Sequence, residues 1–382
     1  MARVTGLDLA RGIAILGTLG TNIWLFSNPG GLLRAFTDPA AAGVPDWQVP
    51  ITLFLKQLAN GKFLGLLTLM FGIGLAIQFD SARRRGRPWP QSYLWRAVVL
   101  FLDGVVHFLL VVEFDVLMGY AVTGIVVAAL LLTSPAAQRR WMIATTSIHL
   151  VAVGLMTAGM VFHGESVSGT VPQPSPYQQG SWWDLVLFRI DHLTAFRFEP
   201  VFILGSSIAL FLLGAHLWRA GLFRTEGGRL RSTLIVVGAV TLPIDLALGA
   251  TVPSAFFVVR YLTAPLVSLG LLALIAAVTL DREPGWWGRR LSELGRVALS
   301  GYVTQNLIAS ALFYGWGLGL NGVDPALRLP VTVLAWAAIG AIILTLAHLW
   351  LRRFDRGPLE WLSGTIVTAL NGTRRSRRAA RV

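Results

Sequence analysis

The chain has 382 residues, 54% of them hydrophobic and 13% charged, with a mean hydropathy of +0.64 and no cysteine. Soluble domains carry about 25% charged residues, so this composition excludes an ordinary soluble enzyme or secreted domain and makes lipid the main solvent. The 32 Lys+Arg against 19 Asp+Glu leave a net charge of +13, which cytoplasmic loops of a polytopic membrane protein explain better than nucleic-acid binding; without cysteine there is no disulfide, thiolate metal site or cysteine nucleophile.

Apolar runs of spanning length predict ten helices, near 7–26, 62–79, 96–112, 115–133, 141–162, 200–218, 232–252, 261–280, 297–318 and 330–351. Each approaches the roughly 20 residues that a bilayer crossing takes. The expected fold is all-α: a polytopic membrane helix bundle of about ten spans, one domain over 1–355, followed by a basic tail over 356–382. Asp8 and Arg11 interrupt the start of the first run and no small-x-small cleavage site follows it, so it reads as a retained helix. With the N-terminus inside and the sides alternating, 25 Lys and Arg fall inside and 7 outside. That bias favours an N-in, C-in topology.

The connections carry their own signals. The outside stretch 163–199 opens with Pro172, Pro174 and Pro176 among Gly and Ser. Trp182, Trp183, Leu187 and Ile190 then recur at helical spacing, which predicts a helix lying on the membrane surface. Trp47–Leu58 predicts a second interfacial helix. The basic run Arg374–Arg381 reads as an anchor touching anionic lipid. Phe71–Ala76 and Phe211–His216 share a faint pattern of Phe, Gly and Ala ahead of arginines, a hint of an internal repeat.

Ionisable residues at membrane depth cost at least about 2.5–3.5 kcal/mol each on insertion scales, so they should face one another or a wet cavity. The third predicted helix holds Asp103 and His107 four apart on one face, where a carboxylate would orient the imidazole. Glu113 and Asp115 follow at its outer end, and Tyr120 comes in the next helix. Asp8 and Arg11 form an i, i+3 pair near the inner face, and Asn22 lies near the outer end of the same helix, a place for an interhelical hydrogen bond. Asp245 follows Pro243 in the seventh helix. Arg260 and Tyr261 stand at the outer mouth of the eighth. The ninth carries Tyr302, Gln305, Asn306 and Tyr314, with Gln305 and Asn306 pointing in different directions. His149, His216 and His348 read as packing or interface residues. A Gly-x-Ser-x-Gly elbow, a Walker-type loop and a His-Glu-x-x-His pair are all absent, and no His and acidic set has metal spacing.

Several segments resemble the YeiB-like bacterial membrane proteins. They are Leu7-Asp8-Leu-Ala-Arg11-Gly12 leading to Asn22, Gly104-x-x-His107 with Asp115 and Tyr120, and Gly295-Arg-Val-Ala-Leu-Ser-Gly-Tyr302 with Gln305 and Phe313-Tyr314-Gly-Trp-Gly. The last is Gly357-Pro358-Leu359-Glu360-Trp361. The resemblance runs from the first helix to the last and implies a multi-pass protein of the bacterial inner membrane, with a homodimer plausible. That family is similar in turn to transmembrane acyltransferases such as the lysosomal heparan-glucosaminide N-acetyltransferase, through Asp8, Arg11, Gly12 and Asn22. There the implied donor is cytosolic acetyl-CoA. The acetyltransferase has a histidine shortly after the Asn, where this chain has Trp24, Phe26, Ser27 and Asn28, so His107 would have to serve from another helix.

Three functions follow as expectations. In a membrane acyltransferase, His107 acts as general base on a hydroxyl or amine, Asp103 or Asp115 holds its tautomer, and Asn22 or Tyr120 stabilises the oxyanion. Asp8, Arg11, Arg260, Gln305 and Tyr314 would contact substrate or donor, Arg83–Arg87 would hold the CoA phosphates, and no metal or bound cofactor is expected. The alternatives are a small-solute transporter built on the Pro243–Asp245 helix and a non-catalytic scaffold. Partners are membrane lipids and a small molecule, with no nucleic acid.

Overall fold

The computed structural model describes residues 4–35, 43–163, 174–280 and 282–379, and the side chains of those up to 370 other than 35 and 163; among these every regular element is helical. Arg3, Pro172 and the side chains of the 374–381 run lie outside the described residues. The first half contains α1 (Thr5–Ser27), α2 (Gly31–Ala35), α3 (Gln48–Ala59), α4 (Lys62–Arg84), α5 (Gln91–Leu110), α6 (Leu117–Leu130) and α7 (Pro135–His163). A far-side segment follows: α8 (Pro176–Gln179), α9 (Trp182–Asp191) and α10 (Leu193–Phe202), which leads into α11 (Leu204–Arg219). The rest comprises α12 (Gly228–Thr251), α13 (Phe256–Val258), α14 (Ala264–Leu280), α15 (Trp286–Arg296), α16 (Ala298–Phe313), α17 (Arg328–Leu351) and α18 (Pro358–Ala379).

Each of the ten expected runs has its helix. Among the described residues seven spans are long and apolar enough to cross a membrane, and α10 with α11, bent by 40°, makes an eighth if the pair is one span. The bend follows Pro200, which has no N–H for the helical ladder. The other two are short: α6 has 14 residues and α16 has 16, or about 21 to 24 Å against a hydrocarbon core of roughly 30 Å. α16 ends at the glycine-rich Tyr314–Gly319 turn, which folds back on itself through Leu318 N–H to Ala311 O. Helices also form at the two stretches expected to lie on the membrane surface, as α3 and α9, and α3 continues into α4 to give one 37-residue candidate span, Gln48–Arg84.

Helix α1 is the spine, packed against α4, α15, α16 and α17. Its crossing with α15 is backbone to backbone: a Cβ on Gly12 would overlap the Leu291 carbonyl, and one on Gly295 would overlap that of Asp8. Two segments that resemble the YeiB-like proteins, 283 residues apart in sequence by their glycine numbers, therefore meet in one contact. The faintly repeated segments meet as well. Phe71 of α4 stacks on Phe211 of α11 at 5.9 Å, with Gly72 against the Phe211 carbonyl and Gly214 against that of Leu69. On the outside of the bundle large apolar side chains stand free, among them Leu155 at 66% and Leu334 at 68% exposure. An apolar surface of that extent calls for lipid rather than water.

Candidate functional site

His107 lies one turn before the end of α5 and is 2% exposed. Its Nδ1 is 2.9 Å from Asp115 Oδ1, and Asp115 Oδ2 accepts the Met118 backbone N–H at the start of α6. A carboxylate only accepts, so Nδ1 carries the proton and Nε2 keeps its lone pair. Asn306 of α16 donates its Nδ2 toward that lone pair at 3.2 Å, while its Oδ1 accepts from Asn22 Nδ2 of α1 at 3.2 Å. One relay, Asn22–Asn306–His107–Asp115, thus joins α1, α16, α5 and α6. The Tyr302 ring, one helical turn before Asn306, lies 5.0 Å from the imidazole.

The other expected site residues fall elsewhere. Asp103 does not orient His107: it is half-buried and its Oδ2 accepts from Ser363 Oγ of α18 at 2.9 Å. The carboxylate on His107 Nδ1 comes instead from Asp115, in the short connection between α5 and α6. Tyr120 shares a 2.7 Å hydrogen bond with Thr68 and donates to the Leu64 carbonyl, which ties α6 to α4. Gln305 turns away from Asn306 and donates to Thr18 Oγ1 at 3.3 Å. Tyr314 is buried with its ring on Phe26 and Tyr177, and its hydroxyl makes no hydrogen bond among the described residues. Arg11 and Asp8 pair at 3.2 Å at the opposite end of α1, about 16 Å from Asn22 at 1.5 Å per residue.

Arg260 sits in a second network. A π-helical turn, Val259–Thr263, aims its residues at two acidic groups. Arg260 donates to Glu199 Oε1 at 2.7 Å and to Asn60 Oδ1 at 2.8 Å, and Tyr261 donates to the same Glu199 oxygen. Thr263 donates to Asp245 Oδ2 at 2.7 Å, while Asp245 Oδ1 pairs with Lys62 and accepts from Gln57 at 2.9 Å. Lys62 and Asp245 are both buried, and each polar atom of Asp245 has a partner.

The far-side segment closes the end of α5 just beyond His107. The carbonyls at the end of a helix lack intrahelical donors, and here side chains supply them. Arg189 donates to Leu109 O and Val111 O, each at 2.9 Å, and Trp182 Nε1 to Leu110 O at 2.9 Å. Arg197 donates to Glu113 O and stands 4.1 Å over the Phe108 ring. Arg189 also pairs with the buried Glu113 at 3.4 Å. The signal for Arg189 and Arg197 was present in sequence as two of the few basic residues on the outer side, but nothing there named their acceptors. Helix α9 begins in a capping box in which Ser181 Oγ accepts Asp184 N–H and Asp184 accepts Ser181 N–H. Those bonds from the Ser181 hydroxyl and backbone hold the Asp184 carboxyl below its ordinary range.

Residues 217–368 match a family described as "Protein of unknown function (DUF418)". The chain is 29% identical to the uncharacterized protein YeiB of Escherichia coli (strain K12), with 95% of each chain covered. It is 27% identical to the uncharacterized protein YxaH of Bacillus subtilis (strain 168), covering 94% of this chain and 93% of that one. An uncharacterized 39.9 kDa protein in the amylase 3' region of Bacillus acidopullulyticus is 33% identical over 28% of each chain.

Proposed function

From its match to the DUF418 model over residues 217–368 and its full-length similarity to YeiB and YxaH, we propose that the chain is an acyltransferase of the bacterial inner membrane. It would move an acyl group from a cytosolic CoA thioester to a hydroxyl or amine. The observation that carries the reading is the buried Asp115–His107 pair, which leaves Nε2 as a base at membrane depth. In the reaction the acceptor displaces the Asn306 amide from Nε2 and gives its proton there. Its oxygen or nitrogen attacks the thioester carbonyl carbon, the C–S bond breaks, and the departing thiolate takes the proton from His107. The amides of Asn306 and Asn22, freed by that displacement, are the donors available to the oxyanion. Asp8 and Arg11, with Arg83–Arg87, mark the cytoplasmic end where the donor's phosphates would bind.

The test is turnover of radiolabelled acetyl-CoA by purified protein in liposomes. His107→Ala should lower turnover by about 10²–10⁴-fold, with acetyl-CoA binding retained. A wild-type protein that neither binds nor turns over acetyl-CoA or longer acyl-CoA overturns the reading. A second reading, small-solute transport, is favoured by the buried Lys62–Asp245 pair beside Pro243 and the π-helical turn. Solute flux abolished by Asp245→Asn but untouched by His107→Ala would select it.

A further inference from the structure

We infer that the protein holds one anionic phospholipid at a fixed site, in a groove between α16 and α17 that ends at Arg353. The groove encloses about 390 Å³ and is walled by Gly301 and Thr304 of α16 and by Ile343, Leu346 and Trp350 of α17, with Arg353 at its mouth. From Ile343 to Arg353 the groove runs ten residues, about 15 Å at 1.5 Å per residue. That is about half of a hydrocarbon core roughly 30 Å thick, the depth of one leaflet. A single acyl chain therefore fits from headgroup to midplane.

Charge selects the headgroup. Arg353 is exposed, and among the described residues its guanidinium makes no hydrogen bond or ion pair. Of the basic residues around it, Arg353 alone lines the groove: Arg296 donates to the Asp355 carbonyl, and the exposed Arg352 and Arg356 on either side are not part of its wall. The hydroxyl of Ser300, at the groove wall, is used by Glu360 and the Leu359 N–H. An apolar slot closed by one unpaired cation suits a chain that ends in a phosphate, and basic pockets between helices on the cytoplasmic side are where such lipids bind. At about 100° per residue, Gly301 and Thr304 lie on the face of α16 opposite Tyr302 and Asn306. The occupant is thus a resident lipid, separate from whatever reaches His107.

The experiment is native mass spectrometry of delipidated protein titrated with phosphatidylglycerol or with phosphatidylcholine of the same chains. One phosphatidylglycerol should bind about tenfold more tightly than phosphatidylcholine, the scale of one charged phosphate contact. Arg353→Gln should erase that preference, and Leu346→Trp, filling the slot from an exposed position, should weaken both lipids. Arg229→Gln, an exposed arginine at the same end, should change nothing. Equal binding of the two lipids overturns the site. So does a loss with Arg229→Gln equal to that with Arg353→Gln, or unchanged binding by a folded Leu346→Trp protein.

Discussion

A buried imidazole needs its ring nitrogens partnered, and His107, at the last turn of α5, has a partner on each. Asp115 fills one side and Asn306 the other, and neither could be removed without leaving a buried polar group bare. Asp115→Ala strands both His107 Nδ1–H and the Met118 N–H, and should cost about 1–3 kcal/mol for each group left unpaired. Asp103→Ala strands only the Ser363 hydroxyl, which is half-buried, and should cost within about 1 kcal/mol. Thermal unfolding in detergent separates the two. Equal losses would return Asp103 to the site. The sequence spacing placed Asp103, His107 and Asp115 in one neighbourhood, but a 3.6-residue period tells which face a side chain occupies and not which of two carboxylates reaches it.

Among the elements, α16 depends on a residue 60 positions downstream. Glu360 Oε1 accepts the Leu299 N–H at 2.7 Å and the Ser300 N–H at 3.3 Å, and Oε2 accepts the Ser300 hydroxyl at 2.5 Å. A carboxylate on the bare N–H groups of a helix N-terminus is favoured by both hydrogen bonding and the helix dipole. The Gly357-Pro358-Leu359-Glu360-Trp361 segment was legible as unusual for a span's end, yet its role was not, because the N-terminus it caps is far away in the chain. Glu360→Gln keeps the shape and removes the charge; it should destabilise by about 1–2 kcal/mol, read as a lower midpoint of thermal unfolding. Helix α9 makes the matching case with a pH signature. The folded Asp184 carboxyl sits below its ordinary range because the Ser181 groups hydrogen-bond its charged form. Its contribution is therefore complete above the unfolded carboxyl pKa of about 4 and is lost as pH falls below it. Hydrogen exchange at α9, corrected for intrinsic rates, should accelerate across that window, and Asp184→Asn should remove the pH step.

For the whole molecule, α1 joins two polar clusters at opposite ends: Asp8 with Arg11, and Asn22 in the His107 relay. An acyl transfer that uses both must carry the donor along this helix, so the packing of α1 sets the geometry of the reaction. Its closest neighbour is α15, at the Gly12–Gly295 contact, where there is no room for a β-carbon. Gly12→Val or Gly295→Val must push two backbones apart, and overpacking of this kind costs about 1–3 kcal/mol or more. The expected result is poor recovery of folded protein, whereas Gly154→Val on the open face of α7 should be recovered normally. Normal recovery of both spine variants would mean that the crossing is looser than the backbone contact implies.

The ten helical runs, the bias of arginine to one side and the short roster of polar residues at membrane depth all followed from the amino-acid order alone. Insertion into lipid is charged residue by residue, so it leaves a local record in hydropathy and sidedness. Which carboxylate serves His107, which arginines close its helix end, what Glu360 caps and which two glycines touch were decided only by tertiary structure. Those contacts join residues from 8 to 283 positions apart, and their free energy comes from angle and enclosure, for which spacing along a helix carries no signal.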